Sequence, residues 1–232
     1  MSFHRIGGLC ALICAATYLF GFAFLVMFLM PFGYGTAKVD AVAVVDFIAQ
    51  QPGALTLFNC VIYILNALAL AVLVVVLAAM LHTRSPAWAS VTRGIGLIWA
   101  ALVLGAGMIG NVAIEQSAHL AIADPEGAAQ LWQMLHSVEL GLGGGNEIAG
   151  GIWIAFVSLA GHLGRSIDKA TVAVGLMTGI GGLLTLIPSF GDIAGAIFGL
   201  GAIVWFIAIG VTLARASARM SFDLMGKRAW SL

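Results

Sequence analysis

Acidic and imidazole side chains are concentrated in residues 111–147 of an otherwise apolar chain. This stretch contains five of the ten acidic residues and two of the five histidines. Carboxylates and imidazoles are the side chains that most often accept and release protons near neutral pH. They also bind cations and ligate metals. A proton-handling, cation-binding or metal-binding site is therefore the chemistry that this stretch could support.

The spacing predicts that these side chains meet across two neighbouring helices. Asn111, Glu115 and His119 are four residues apart, which places them on one helix face. Counted at about 1.5 Å per residue from the flanking arginines, Asn111 and Glu147 lie at the same height. His119 and Glu139 likewise lie at the same height as each other. Antiparallel packing would pair Asn111 with Glu147 and His119 with Glu139, and would leave Glu115 opposite a glycine run.

The composition indicates that these helices lie in lipid. Of the residues, 62% are apolar and only 9% are charged, and the mean hydropathy is +1.08. A folded water-soluble chain needs more polar cover than this. The net charge is zero and no basic cluster with interleaved aromatic residues occurs, which excludes a nucleic-acid partner. Carboxylates inside a membrane are costly, so each one is a candidate functional residue.

The apolar runs predict an all-α, six-helix transmembrane bundle that forms a single domain over residues 1–232. The predicted spans lie near residues 7–31, 54–81, 94–118, 142–163, 170–188 and 192–214. Nine of the ten Lys and Arg residues fall on one side of this arrangement, and only Lys38 falls on the other. By the positive-inside rule, both termini are cytoplasmic.

Two short extracytoplasmic helices are predicted, at residues 37–51 after span 1 and at residues 124–139 after span 3. In the second, Asp124 suits the N-cap and Pro125 the first helical position, while Trp132 could anchor the helix at the membrane interface. The run GLGGGN at residues 141–146 predicts a broken helix that exposes backbone groups to a cavity. Glycines elsewhere recur at spacings typical of close helix packing.

Three interpretations of the polar stretch fit the sequence. It could be structural, with interfacial side chains and a neutral Asn146–Glu147 clamp. It could line an outward-facing cavity between spans 2, 3, 4 and 6 that binds or transports a small solute, a cation or a proton. The residues expected to line that cavity carry amide or carboxylate groups: Asn66, Asn111, Glu115, Asn146, Glu147 and Asp192.

The third interpretation is a divalent metal or haem site. Glu115 and His119 on one helix, with His136 and Glu139 on the next, have spacings close to those of carboxylate and imidazole ligands in helical bundles. No hydrolase, nucleotide-binding or metalloprotease motif occurs, so an enzyme is not expected and no cofactor is required. The main functional expectation is a binding or transport protein. The alternative is a membrane-embedded accessory subunit of a larger complex. Assembly into a homo-oligomer is also compatible with the sequence.

Several stretches resemble a family of bacterial six-helix inner-membrane proteins known as a domain of unknown function. They are VVDFIAQQPGALTLFNCVIYILNALALAVLVVVLAAMLH, LHSVELGLGGGNEIAGGIWIAFVSLAGHLGRS, AVGLMTGIGGLLTLIP and GAIVWFIAIGVTLAR. In that family an N-E or G-E pair precedes I-W or L-W in a later span, as Asn146-Glu147 and Ile152-Trp153 do here. The resemblance implies an inner-membrane location and no particular activity. The long glycine run departs from the family pattern.

Overall fold

The structure is a computed structural model that describes residues 3–36, 38–51, 53–144 and 147–229. Side chains are described over the same ranges except at 144, 188, 192 and 219–229. Every regular element in these ranges is a helix, which confirms the predicted all-α class. The nine α-helices are α1 (Phe3–Phe24), α2 (Ala41–Gln50), α3 (Ala54–Asn59), α4 (Asn66–His82), α5 (Pro86–Leu120), α6 (Pro125–Glu139), α7 (Ile148–Leu163), α8 (Lys169–Leu184) and α9 (Gly191–Ala229).

Within the described ranges, four helical segments are long and apolar enough to cross a membrane. They are Phe3–Phe32, Ala54–His82, Pro86–Leu120 and Ile193–Ala218. The first two include π-helical turns, Leu25–Leu29 after α1 and Cys60–Leu65 between α3 and α4. In the regions predicted as spans 4 and 5, α7 and α8 have 16 residues each. That is about 24 Å, shorter than the roughly 30 Å hydrocarbon core.

The helices pack around a core of tryptophan and phenylalanine rings. Trp153 lies against Trp99 and Trp205 with ring centroids 5.5 Å apart in each pair. Trp205 Nε1 donates a hydrogen bond of 2.9 Å to Ser158 Oγ. These side chains come from α5, α7 and α9 and are fully buried. The aromatic core therefore connects the short helix α7 to two of the long membrane-crossing segments.

The backbones of α7 and α8 touch directly at three glycines. A Cβ atom on Gly151 would lie 2.8 Å from the Gly179 carbonyl oxygen. A Cβ atom on Gly182 would lie 2.8 Å from Gly151 Cα and 2.7 Å from the Glu147 carbonyl oxygen. Only glycine permits this approach, as the small-residue spacing predicts for helices packed in a membrane. The contact places Glu147, at the start of α7, against the end of α8.

The short helices α2 and α6 confirm the two predicted additional helices and cover one end of the bundle, which we call the covered end. Asp40 caps α2 by accepting a bond from Ala43 N at 3.1 Å, and Asp124 caps α6 by accepting from Gly127 N at 2.9 Å. Trp132 does not lie at a surface. It is 2% exposed and packs into a second apolar cluster with residues of α2, α3 and α5.

The loop between α7 and α8 yields a stability prediction. Asp168 accepts hydrogen bonds from Ala170 N and Thr171 N at 3.0 Å and from Thr171 Oγ1 at 2.7 Å. The bond from the Thr171 side chain contributes most to a lowered pKa of Asp168. We expect Asp168→Ala to reduce the free energy of unfolding by about 1 kcal/mol near neutral pH, the typical value for a lost N-cap.

Because the native pKa of Asp168 lies below its unfolded value, its contribution is complete above the unfolded pKa. It is lost as the pH falls through the native pKa. Thermal unfolding in detergent over a pH series should therefore show wild type and Asp168→Ala converging at acidic pH. Asp168→Asn, whose amide oxygen can still accept the backbone bonds, is the control and should retain most of the stability. A wild-type advantage that does not change with pH would contradict this account.

Candidate functional site

A cavity of about 210 Å³ lies between α1, the Cys60–Leu65 turn, α5 and the start of α7. Its wall is largely apolar and aromatic, with Phe22, Phe58 and Val103 among the lining residues. The polar groups in the wall are Thr17, Tyr18, Tyr34, Tyr63, Asn66 and Glu147. Glu147 supplies the single carboxylate among the described lining residues.

The predicted helix break positions Glu147. The π-helical turn Leu140–Gly144 ends α6, and Gly143 has a φ of 148°, in a region that favours glycine. Glu147 is the N-cap residue of α7. Its backbone N–H donates to Thr185 Oγ1 at 3.2 Å, and its carbonyl accepts from Gly151 N at 2.8 Å. The backbone is thus held between α7 and α8 while the half-buried side chain lines the cavity.

The Glu147 carboxylate accepts no hydrogen bond from any residue that the structure describes. The positive end of the α7 dipole lies beside it and favours a negative charge there. No described lysine or arginine lines the cavity. A carboxylate in such surroundings can accept a hydrogen bond or a positive charge from a ligand.

A fixed polar contact forms the opposite wall. Asn66 Nδ2 donates to Thr17 Oγ1 at 2.6 Å, and Thr17 Oγ1 donates to the Cys14 carbonyl at 2.8 Å. Asn66 and Thr17 are 1% and 3% exposed. These bonds hold α4 against α1 and fix the orientation of both side chains. The wall of the cavity is therefore formed in advance of any ligand.

A second polar group lies near the cavity, at the covered end. His136 Nδ1 and Glu139 Oε2 are 3.0 Å apart, and the two residues are 3% and 2% exposed. The His136 ring stacks on Trp132 with centroids 4.6 Å apart and lies 5.0 Å from the Tyr34 ring. Glu139 Oε1 and Asn59 Oδ1 are buried without a hydrogen-bond partner. We call His136 and Glu139 the buried pair.

Tyr34 connects the cavity with the buried pair. Tyr34 and Tyr63 both line the cavity, and the Tyr34 ring is the one that lies beside the His136 ring. Burial, followed by the Glu139 charge, raises the pKa of Tyr34 well above its ordinary value.

The pairings predicted from helix heights are not found. Glu115 and His119 are exposed, and Asn111 Nδ2 donates to Cys60 Sγ at 3.7 Å while its buried Oδ1 has no partner. Glu139 instead faces Gly110, where an added Cβ would lie 3.4 Å from its carboxyl group. The absence of a side chain at Gly110 lets α6 approach α5 there, so Glu139 turns inward and away from His119.

The four residues proposed as metal ligands are therefore separated. Glu115 and His119 lie at the surface of α5, while His136 and Glu139 are buried and bonded to each other. Over the described ranges, no group of three or more His, Cys, Asp or Glu side chains could hold a metal ion. The fold adds no described side chain to these four that would favour a haem site.

Of the residues predicted to form the cavity, Asn66 and Glu147 line it and Asn111 and Glu115 do not. Asn146 and the side chain of Asp192 lie outside the described residues. The cavity uses span 1, which the sequence interpretation left out, and no described side chain of α9 lines it. Thr17 and Tyr63 were missed because hydroxyl groups are common in apolar helices and nothing in their spacing distinguishes them.

Comparisons of the chain with protein-family models, with curated proteins and with solved structures found no match. The resemblance to a six-helix family therefore stays an expectation. The function has to be argued from the cavity and its surroundings.

Proposed function

We propose that the protein binds a small, positively charged solute in the cavity and transports it across the membrane. The observation that carries this proposal is the Glu147 side chain, the one carboxylate in a largely apolar 210 Å³ cavity, with no hydrogen-bond partner among the described residues. A bound cation would supply the positive charge that the described residues of the cavity do not provide. Inorganic cations, protons and small organic ammonium ions share this chemistry.

The aromatic wall and the size of the cavity support a small ligand. Tyr18, Phe22 and Phe58 are close enough to line the same space as Glu147, and aromatic rings attract cations at their faces. Pockets for drug-sized ligands have volumes of about 300–1,000 Å³. A cavity of about 210 Å³ fits an ion or a molecule of a few heavy atoms.

The proposal includes a six-span topology in a bacterial inner membrane, with both termini in the cytoplasm. The distribution of Lys and Arg supports this orientation. Helices α7 and α8 would be spans 4 and 5, the first shortened by the glycine run and the second by its end at Leu184. The covered end would then face outwards, as binding from the outside requires. Half-buried Glu147 would lie within the membrane at the broken helix, as in transporters whose sites use discontinuous helices.

Binding of simple cations to the purified full-length protein tests the proposal. The probes are Na⁺, K⁺, methylammonium and tetramethylammonium, measured by titration calorimetry and by uptake of radiolabelled methylammonium into proteoliposomes. We expect at least one probe to bind, and Glu147→Gln to weaken that binding by about tenfold or more, which corresponds to about 1.4 kcal/mol.

Glu115→Gln is the matched control, because it removes an exposed carboxylate that does not line the cavity. It should bind the probe as the wild type does. Equal affinity in the Glu147→Gln and Glu115→Gln variants would contradict the proposal, and so would the failure of all four probes to bind.

A further inference from the structure

We propose that the ligand of the cavity is a small quaternary ammonium ion, a cation whose nitrogen carries only carbon substituents. This inference rests on the proposed function, because it specifies which kind of positively charged solute binds beside Glu147. It is carried by a different feature of the cavity, the aromatic side chains in its wall. Cages of aromatic rings are a common way for proteins to recognise quaternary ammonium groups.

Aromatic rings reach the cavity from several parts of the chain. The lining residues that carry an aromatic ring are Tyr18, Phe22, Tyr34, Phe58 and Tyr63. Two of them belong to α1 and one to the segment after it, while the others belong to α3 and to the Cys60–Leu65 turn. Because these elements pack around the cavity, their rings surround it from more than one direction.

Contacts outside the cavity hold two of these rings in place. The Phe58 ring stacks on Phe24 with centroids 5.0 Å apart. The Tyr34 ring lies 5.0 Å from the His136 ring. A ring that is already fixed loses little rotational freedom when a ligand binds, which favours affinity.

Two glycines make room for two further rings. A Cβ atom on Gly199 of α9 would lie 2.7 Å from Phe22 Cζ, so the ring of Phe22 rests on the backbone of α9. A Cβ atom on Gly107 of α5 would lie 3.4 Å from Tyr63 Cγ. Both rings are therefore packed against a neighbouring helix while they line the cavity.

The orientation of two rings favours a compact ligand over a flat one. The planes of Tyr34 and Phe58 are 88° apart, with centroids separated by 6.1 Å. A flat ligand stacks on one such ring at a time. A tetrahedral ammonium ion has methyl groups in four directions, so it contacts perpendicular rings together and places its charge near both.

An inorganic cation matches this cavity less well. A volume of about 210 Å³ is far larger than a bare metal ion, and the largely apolar wall does not replace the water that such an ion loses on entry. Uncompensated loss of hydration is costly for a charged group. A quaternary ammonium ion is weakly hydrated, since its charge is spread over methyl groups that also fill the apolar space.

A primary ammonium ion also matches less well, because its three N–H donors each need an acceptor. In the wall opposite Glu147, Asn66 Nδ2 donates to Thr17 Oγ1 at 2.6 Å, and Thr17 Oγ1 donates to the Cys14 carbonyl at 2.8 Å. These groups are bonded to each other before any ligand binds. A quaternary nitrogen has no N–H group, so it requires only a negative charge, which Glu147 supplies, and ring faces.

Competition calorimetry on the purified full-length protein tests the ligand class, with tetramethylammonium as the probe. We expect tetramethylammonium to bind, and Na⁺, K⁺ and methylammonium to compete with it at least about tenfold more weakly. tert-Butanol, a neutral molecule of similar shape, should not displace it. Phe22→Leu and Phe58→Leu should each weaken tetramethylammonium binding by about tenfold, as expected for a lost cation–π contact shielded from water.

Phe190→Leu is the matched control, because Phe190 is 51% exposed and is not among the lining residues. It should bind tetramethylammonium as the wild type does. Phe22 is half-buried, so Phe22→Leu keeps the test valid if the replacement of buried Phe58 prevents folding. Wild-type affinity for tetramethylammonium in every folded variant of Phe22 and Phe58 would overturn the inference.

The same titrations separate this inference from the proposed function. Binding of Na⁺, K⁺ or methylammonium that is lost in Glu147→Gln, without binding of tetramethylammonium, would overturn the ligand class and leave the proposed function standing. Binding of tetramethylammonium that needs Phe22 and Phe58 but is unchanged in Glu147→Gln would support the aromatic site and remove the observation that carries the proposed function. Failure of all these cations to bind would contradict both.

Discussion

The substitution Gly151→Val is expected to destabilise the protein by about 3 kcal/mol or more, at the upper end of the cost of overpacking. A Cβ atom at Gly151 would lie 2.8 Å from the Gly179 carbonyl oxygen and 3.0 Å from Gly182 Cα. Both neighbours are backbone atoms of α8, which cannot rotate out of the way. The two helices would have to separate, and the loss of their contact removes the packing on which α7 depends.

The measurement is thermal or SDS-induced unfolding of purified protein in detergent. Gly94→Val is the matched control, because a Cβ atom at Gly94 in α5 would meet nothing within 4 Å, and Gly195→Val in α9 repeats the control at another open position. Both controls should unfold within about 0.5 kcal/mol of the wild type, as surface substitutions usually do. If Gly151→Val were as stable as Gly94→Val, the direct backbone contact between α7 and α8 would be wrong.

This contact also connects the fold to the cavity. The Glu147 carbonyl bonds to Gly151 N and lies 2.7 Å from the Cβ position of Gly182. The Glu147 amide bonds to Thr185. Separation of α7 from α8 would therefore move the Glu147 side chain as well. Loss of cation binding in Gly151→Val, with Glu147 chemically unchanged, would be a structural consequence of the lost contact.

Hydropathy and helix-capping rules predicted much of the fold. Long apolar runs placed the membrane-crossing segments, because hydrophobicity over 20 residues depends little on tertiary contacts. Asp124 was expected to cap the helix that it does cap, since capping is decided by local geometry. The glycine run was expected to interrupt a helix, and Gly143 does so. The helices in the regions predicted as spans 4 and 5 are shorter than predicted, because the glycine run delays the start of α7 to Ile148 and α8 ends at Leu184, before the predicted end near residue 188.

The site could be predicted only in part. Counting residues along two straight helices put Glu139 level with His119, but α6 is a separate helix whose rotation is set by packing at Gly110. The rotation of α6 about its own axis decides whether Glu139 points inward or outward, and the periodicity of the sequence does not determine that rotation. Glu115 illustrates the same limit, since it shares a predicted face with Asn111 and yet is exposed. The side chains of Thr17 and Tyr63 became relevant only because the fold brings α1 and the Cys60–Leu65 turn to Glu147.

Removal of either member of the buried pair is expected to cost about 3–5 kcal/mol, because the remaining partner is left buried without its bond. The variants are His136→Leu and Glu139→Leu, and the pair is 3.0 Å apart and at most 3% exposed. The double variant should cost less than the sum of the two single variants, since no polar group is then left unpaired. We expect a coupling of about 1–3 kcal/mol, which is typical of directly bonded side chains.

The double-mutant cycle is measured by SDS-induced unfolding in detergent at neutral pH. The same cycle with Glu115→Leu and His119→Leu is the matched control. These two residues are also a glutamate and a histidine one helical turn apart, on α5, but both are exposed. Their coupling should stay below about 0.5 kcal/mol, as for exposed helical pairs. Strong coupling at residues 115 and 119 with none at residues 136 and 139 would mean that the polar contact at the covered end belongs to α5, and the buried pair would lose its place in the fold.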